Sequence, residues 1–167
     1  MDFKTLKNKL AKEAKAKGIC REWYDFILNA PDKQRLLILF VKGCDFCLLN
    51  DFPSPELRAE FNDTRREYGI FINDRVAVRG LRNIFAFGTT TGSAEYADFD
   101  VGQIYARQDT RITVTATGNA FVVVDVADRA NVDIQASGEA RVSLFLHGGS
   151  YTASESDAAK IKVIDKR

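Results

Sequence analysis

The sequence predicts an α+β protein, in which a small N-terminal helical cap (residues 1–69) precedes a short single-stranded β-solenoid, or β-helix, over residues 70–167, with about twenty residues per coil. Three observations predict it. Apolar residues before Gly69 recur at helical spacing between Gly, Pro and Asp or Ser punctuation. From position 101 onward they recur two apart, inside units of ten. Alternate units then resemble each other more closely than adjacent ones do, which doubles the period.

The helical elements follow in order. Asp2 is placed to N-cap a helix with Phe3, Leu6 and Leu10 on one face, and Gly18 terminates it. Ile19, Trp23, Phe26 and Ile27 form a second amphipathic turn set. Pro31 and Asp32 open a third helix through Leu36, Leu37, Phe40 and Val41, which restarts after Gly43 over Asp45 to Leu49. Ser54, Pro55 and Glu56 read as a cap and first turn leading through Leu57 and Phe61 to Tyr68. Ile70–Ile72, the Asn73–Asp74 turn, and Val76 with Val78 then read as strand, turn and strand. A solenoid exposes an apolar end, so capping is the role expected of the helices.

In the repeat, Ile104, Val114, Val124, Ile134 and Leu144 stand ten apart, as do Ile112, Val122, Val132 and Val142. Turn-like triplets such as Gly118-Asn119-Ala120 and Gly138-Glu139-Ala140 close the units. Units 111–120 and 131–140 match position by position, with Ala116 over Ala136, whereas units 121 and 141 carry the larger Val126 and Leu146. A solenoid with two units per coil stacks residues twenty apart, and each column is expected to keep its size. Thr91-Gly92-Ser93-Ala94 reads as an earlier copy of the turn, and Ile84, Ala86 and Gly88 as copies of Val114, Ala116 and Gly118. These early pieces fit no single register, which predicts an insertion or bulge in the first coils.

The G-x-A turn followed by alternating valines resembles, over residues 84–150, the repeats of the auto-transporter adhesin head (GIN) domain, a β-solenoid family. That resemblance implies the solenoid fold. Members of the family are typically exported, whereas no signal peptide is expected here, because lysines interrupt every apolar run near the N-terminus. The whole pattern of helical cap and short solenoid also resembles uncharacterised gut-bacterial and prophage-encoded proteins, which implies no established activity.

Composition narrows the function. With 46% hydrophobic and 28% charged residues and a net charge of +1, the chain reads as a soluble globular protein with no overall field for nucleic acid or anionic membrane. Lys4, Lys7, Lys9, Lys12, Lys15 and Lys17 read as a solvated helix face, the alternative being contact with phosphate. The run Leu36 to Val41 is too short to span a bilayer. Three cysteines, an odd number, point to a reducing compartment: the cytoplasm, or a virion assembled there.

No constellation specifies a reaction. Cys44 and Cys47 have the spacing of half a zinc site, but only Cys20 and His147 remain to complete it, so both read as core residues. A single histidine excludes a His-rich metal site. No cofactor is called for. An enzyme would need a pocket near Arg75, Arg79, Arg82, Tyr96 and Asp98, to which no roles can be assigned.

Stacking by twenty places Tyr105, Asp125 and Phe145 in one outward column, beside Arg107 and His147. These five are the expected binding residues. The leading expectation is a non-enzymatic structural or interaction module whose partner is a protein or a second copy of itself. A carbohydrate-binding module using the same five residues is the alternative.

Overall fold

A computed structural model, which describes residues 1–62 and 64–167, divides the chain into two units, Met1–Tyr68 and Gly69–Arg167. Among its described residues the first holds five α-helices: α1 (Phe3–Ala16), α2 (Arg21–Leu28), α3 (Lys33–Lys42), α4 (Cys44–Leu49) and α5 (Pro55–Ala59). Asp2 and Asp32 cap α1 and α3 through their carboxylates, which accept from Thr5 N (3.0 Å) and Arg35 N (2.8 Å). Leu6, Leu10, Ala14, Ile27, Leu36, Leu37 and Leu57 are buried in this unit. The helix expected from Ser54 to Tyr68 is shorter than its pattern suggested. It stops at Ala59, and a 3-10 turn, Arg65–Tyr68, follows.

The lysines of this unit are not only a solvated face. Lys7 Nζ donates to the carbonyls of Leu28, the last residue of α2, and Ala30, just past it, both at 2.9 Å. Lys17 Nζ reaches the carbonyl of Asn50 (2.7 Å), just past α4, and Lys33 Nζ that of Glu60 (2.6 Å), just past α5. Carbonyls at a helix C-terminus lack intrahelical partners and carry the negative end of the dipole, so an ammonium there serves both needs.

The second unit is a β-solenoid of eleven strands: β1 (Ile70–Ile72), β2 (Arg75–Arg79), β3 (Asn83–Phe87), β4 (Thr91–Tyr96), β5 (Val101–Ala106), β6 (Arg111–Ala116), β7 (Phe121–Val126), β8 (Asn131–Ala136), β9 (Arg141–Leu146), β10 (Ser150–Glu155) and β11 (Lys160–Asp165). Odd strands form one parallel sheet in the order β1-β3-β5-β7-β9-β11, and even strands form the other. Each coil is therefore one strand from each sheet joined by two tight turns. Alternation puts every second side chain inside, where Ile104, Val114, Val122, Val124, Ile134 and Leu144 are fully buried. Burying a side chain of this size contributes about 1.5–3 kcal/mol.

The register is constant where the sequence suggested it was broken. Asn83 pairs with Gln103, Thr91 with Arg111, Val101 with Phe121 and Phe121 with Arg141, all twenty apart. The irregular part is the first coil, and it is short. Ile70 pairs with Phe85 and Arg75 with Thr91, because the first coil has turns of two and three residues at 73–74 and 80–82 and strands shorter than the six residues of later ones. No insertion is present among the described residues of this coil. Ile84 and Ala86 accordingly stack on Ile104 and Ala106, in the odd sheet, and not on Val114 and Ala116.

Two further expectations change. Thr91-Gly92-Ser93-Ala94 is the start of strand β4, not a turn. Gly92 lies beside Ile112 in the ladder with φ +143, and a Cβ there would overlap the carbonyl of Val76, so the glycine serves close approach inside a strand. The inner columns also change size along the solenoid: Ala86, Ala106, Val126 and Leu146 form one, and Tyr96, Ala116 and Ala136 another. The core is filled by exchange across a corner. The ring of Tyr96 occupies the space a Cβ on Gly102 would need, and its hydroxyl donates to the Leu81 carbonyl (2.8 Å).

Turns stack as regularly as strands. Asn119 N donates to Asp98 O (2.6 Å), Glu139 N to Gly118 O (2.8 Å) and Ala158 N to Gly138 O (3.0 Å). The residues at 98, 108, 118, 128 and 138 all take positive φ. At Gly118 and Gly138 the lack of a side chain also admits the turn below, since a Cβ would meet the nitrogen of Asp98 at 2.8 Å or of Gly118 at 3.0 Å.

Candidate functional site

The two sheets present different outer faces. On the even sheet the outward residues of β4, β6, β8 and β10 are all polar: Thr91, Ser93 and Glu95, then Arg111, Thr113 and Thr115, then Asn131, Asp133 and Gln135, then Ser150, Thr152 and Ser154. Many of them satisfy one another. Asp133 accepts from Thr152 Oγ1 (2.6 Å) and Gln135 Nε2 (2.9 Å), Asn131 donates to Ser150 Oγ (2.7 Å), and Arg79 pairs with Glu95 (2.9 Å). On the odd sheet the outward columns are Val101-Phe121-Arg141-Lys160, Gln103-Val123-Ser143-Lys162 and Phe85-Tyr105-Asp125-Phe145-Ile164. Apolar and aromatic side chains thus face outward on this sheet.

The register brings Tyr105, Asp125 and Phe145 onto adjacent strands in one column, as stacking by twenty requires. Tyr105 lies flat against Phe85, with ring centroids 5.1 Å apart and planes inclined by 4°. Asp125 accepts from Gln103 Nε2 (2.8 Å) and lies 3.1 Å from Nε2 of His147. Arg107 stands beside this column, directly after β5. Its Nε donates to Asp128 (3.0 Å), whose carboxylate also accepts from the backbone N–H of Gln108 (2.9 Å). Partial burial works against ionisation of Asp128, but the Arg107 and Gln108 hydrogen bonds outweigh it and hold the carboxyl below its ordinary value. In the same row of turns Asp109 accepts two hydrogen bonds from Arg129 (2.7 and 2.8 Å), and these hold its carboxyl low as well.

Four of the five expected residues therefore converge around Asp125, and Arg107 joins the turn beside them. The sequence reading missed Val101, Phe121 and Val123, which lie on the same face. Their signal was present, because Val101 and Phe121 are twenty apart and in phase with Tyr105.

The other sequence features resolve differently. Cys47 is buried, Cys44 half-buried and Cys20 exposed, and all three are free thiols. Burial, with Cys44 close by, pushes the Cys47 thiol up to about 12, so it stays protonated and behaves as a small core residue. Among the described residues no group of three His, Cys, Asp or Glu side chains is placed to hold a metal ion, and no helix is long and apolar enough to cross a membrane. Tyr96, one of the residues an enzyme pocket would have used, is a core side chain; burial first, then nearby Asp100, raises its hydroxyl well above the ordinary value.

Fold and surface define a β-solenoid with one polar outer face and one on which apolar and aromatic residues stand among charged ones, following a helical unit in the chain. No protein-family profile matches the sequence, and no curated protein or solved structure gives a significant match.

Proposed function

We propose that this chain is a non-enzymatic interaction module that presents the outer face of its odd-numbered sheet to a protein partner or to a second copy of itself. The carrying observation is the contrast between the two sheets. Both bury an apolar inner side, but only the odd sheet places Val101, Tyr105, Phe121, Val123 and Phe145 outward, with Val101 and Phe121 45% and 43% exposed. Contiguous outward apolar residues on a rigid, regular ladder suit protein contact, where aromatic anchors carry most of the binding energy.

The glycan alternative draws less support. Sugar recognition needs polar groups free to meet hydroxyls, whereas Asp125 is engaged by Gln103 and His147 and Arg107 by Asp128. Three free cysteines suit a reducing setting, the cytoplasm or a virion assembled there.

Size-exclusion chromatography with light scattering, together with quantitative affinity capture, tests the reading on the wild type and on a Tyr105→Ala/Phe145→Ala double variant. Self-association or capture of a defined partner should fall at least tenfold in the double variant. A monodisperse monomer, with no partner whose capture depends on these two residues, would overturn it.

A further inference from the structure

Along the strand starts of the odd sheet, away from the five residues expected to bind, runs a groove of a different chemistry. Its floor is Phe121, Arg141 and Lys160, and Val101 continues the same column on the neighbouring strand, the four being register neighbours on β5, β7, β9 and β11. Turn residues Asn119, Glu139 and Ala158 line it, and between Asn119 and Lys160 the open groove has a volume of about 380 Å³. The column changes character halfway. Val101 and Phe121 are exposed and apolar, with Phe99 in the adjoining turn 81% exposed. Arg141 and Lys160 follow. Among the described residues the Arg141 guanidinium has no ion-pair or hydrogen-bond partner, and Lys160 has only Glu155 at 3.9 Å.

We propose that this groove binds a short extended segment of a partner protein, with an apolar or aromatic side chain on Val101 and Phe121 and a carboxylate on Arg141 and Lys160. The proposal rests on the reading of this sheet as an interaction face and names the partner's chemistry. Three strand spacings of about 4.8 Å give this column a length of roughly 14 Å, which about four extended residues at ~3.3 Å each would span. The apolar half selects a side chain a polyanion lacks. The cationic half selects a carboxylate, which Arg141 can meet with two parallel hydrogen bonds. Glu139, which lines the groove, repels a continuous phosphate backbone and can accept a peptide N–H.

A displayed library of random hexapeptides, selected on the full chain, tests the inference. Wild type should enrich peptides carrying an aliphatic or aromatic residue three or four positions from Asp or Glu. Arg141→Glu and Phe121→Ser should each reduce that enrichment at least tenfold, with unchanged circular dichroism and melting showing that the variants fold. A Thr113→Ala variant, on the outer face of the even sheet, should retain it. Failure to enrich this class, or equal enrichment on Arg141→Glu, would overturn the groove. So would binding of heparin or single-stranded DNA, at physiological salt, that Arg141→Glu abolishes. Groove failure with a surviving effect of the Tyr105/Phe145 substitutions on association leaves the interaction face standing; loss of both removes the functional reading itself.

Discussion

The middle coils and the last coil carry the same strand pattern and meet opposite fates. Val132 and Leu144 are fully buried, yet their partners in the final coil, Tyr151 and Val163, are 37% and 38% exposed. An inner position of a solenoid is covered only when coils lie on both sides of it, so alternation determines direction and the neighbouring coil determines burial. The final coil also departs in residue type. Glu155 continues the column of Ala136, and Asp165 that of Leu146. Both carboxylates bond locally: Glu155 accepts from Ile161 N (2.8 Å), and Asp165 accepts from Arg167 through its backbone and guanidinium. Charge at inward positions of an edge strand is a known defence against edge-to-edge pairing, because an added strand would have to bury it.

Truncation should break the equivalence of the two coils most sharply. Leu144→Ala removes a fully buried side chain with strands on both sides, and a loss of about 2–5 kcal/mol is expected. Val163→Ala removes a half-exposed side chain on an edge strand and should cost under about 1 kcal/mol. Urea unfolding of the two variants measures both. Equal losses would mean that the last coil is covered in solution.

The guarding role of the carboxylates comes next. In Glu155→Val/Asp165→Leu the inner columns would stay apolar to the end, and the inward positions of the edge strands β10 and β11 would carry no charge. The double variant should associate with rising concentration, end to end, under conditions where the wild type shows no association through this end. Analytical ultracentrifugation reads the effect, and Val163→Lys added to the double variant should reverse it. An unchanged sedimentation profile would assign the protection to something other than these two side chains.

How much of this could be read beforehand depends on whether a feature belongs to the repeat. From Ile104 to Leu146 each strand and column followed from alternation, because every position has equivalents twenty away. The first coil has none: its turns are shorter, and the offset made Ile84 look like a copy of Val114 when it stacks on Ile104. Gly92 misled for another reason. A glycine two residues before an alanine marks the turns at Gly118 and Gly138, but Gly92 marks a close approach to Val76 within a strand. The same limits apply to the surface. The column Tyr105-Asp125-Phe145 was legible, but the contact of Arg107 with Asp128 depends on rotamers that spacing does not encode. Lys160 was hidden from the groove because the Gly148–Gly149 turn drops one residue and leaves it nineteen from Arg141.

The smallest effect concerns the ion pairs that tie turn to turn in the middle coils. Asp128 bonds Arg107 and the Gln108 N–H one coil away, and its carboxyl is held below the usual value of about 3.9. A carboxyl depressed in the folded state adds stability above its unfolded value and loses it as pH falls through the folded one. The Asp128 contribution should therefore be complete above about pH 5 and fade below about pH 4. Because the pair is partly solvated, the effect should stay under about 1 kcal/mol and shrink in high salt. Asp128→Asn should lower the melting temperature slightly at pH 7 and flatten the acid limb of the pH–stability curve. An acid limb identical to wild type would mean that the Gln108 amide and Arg107 hold this turn equally well without the charge, and that stacking of the backbone alone keeps the middle coils in register.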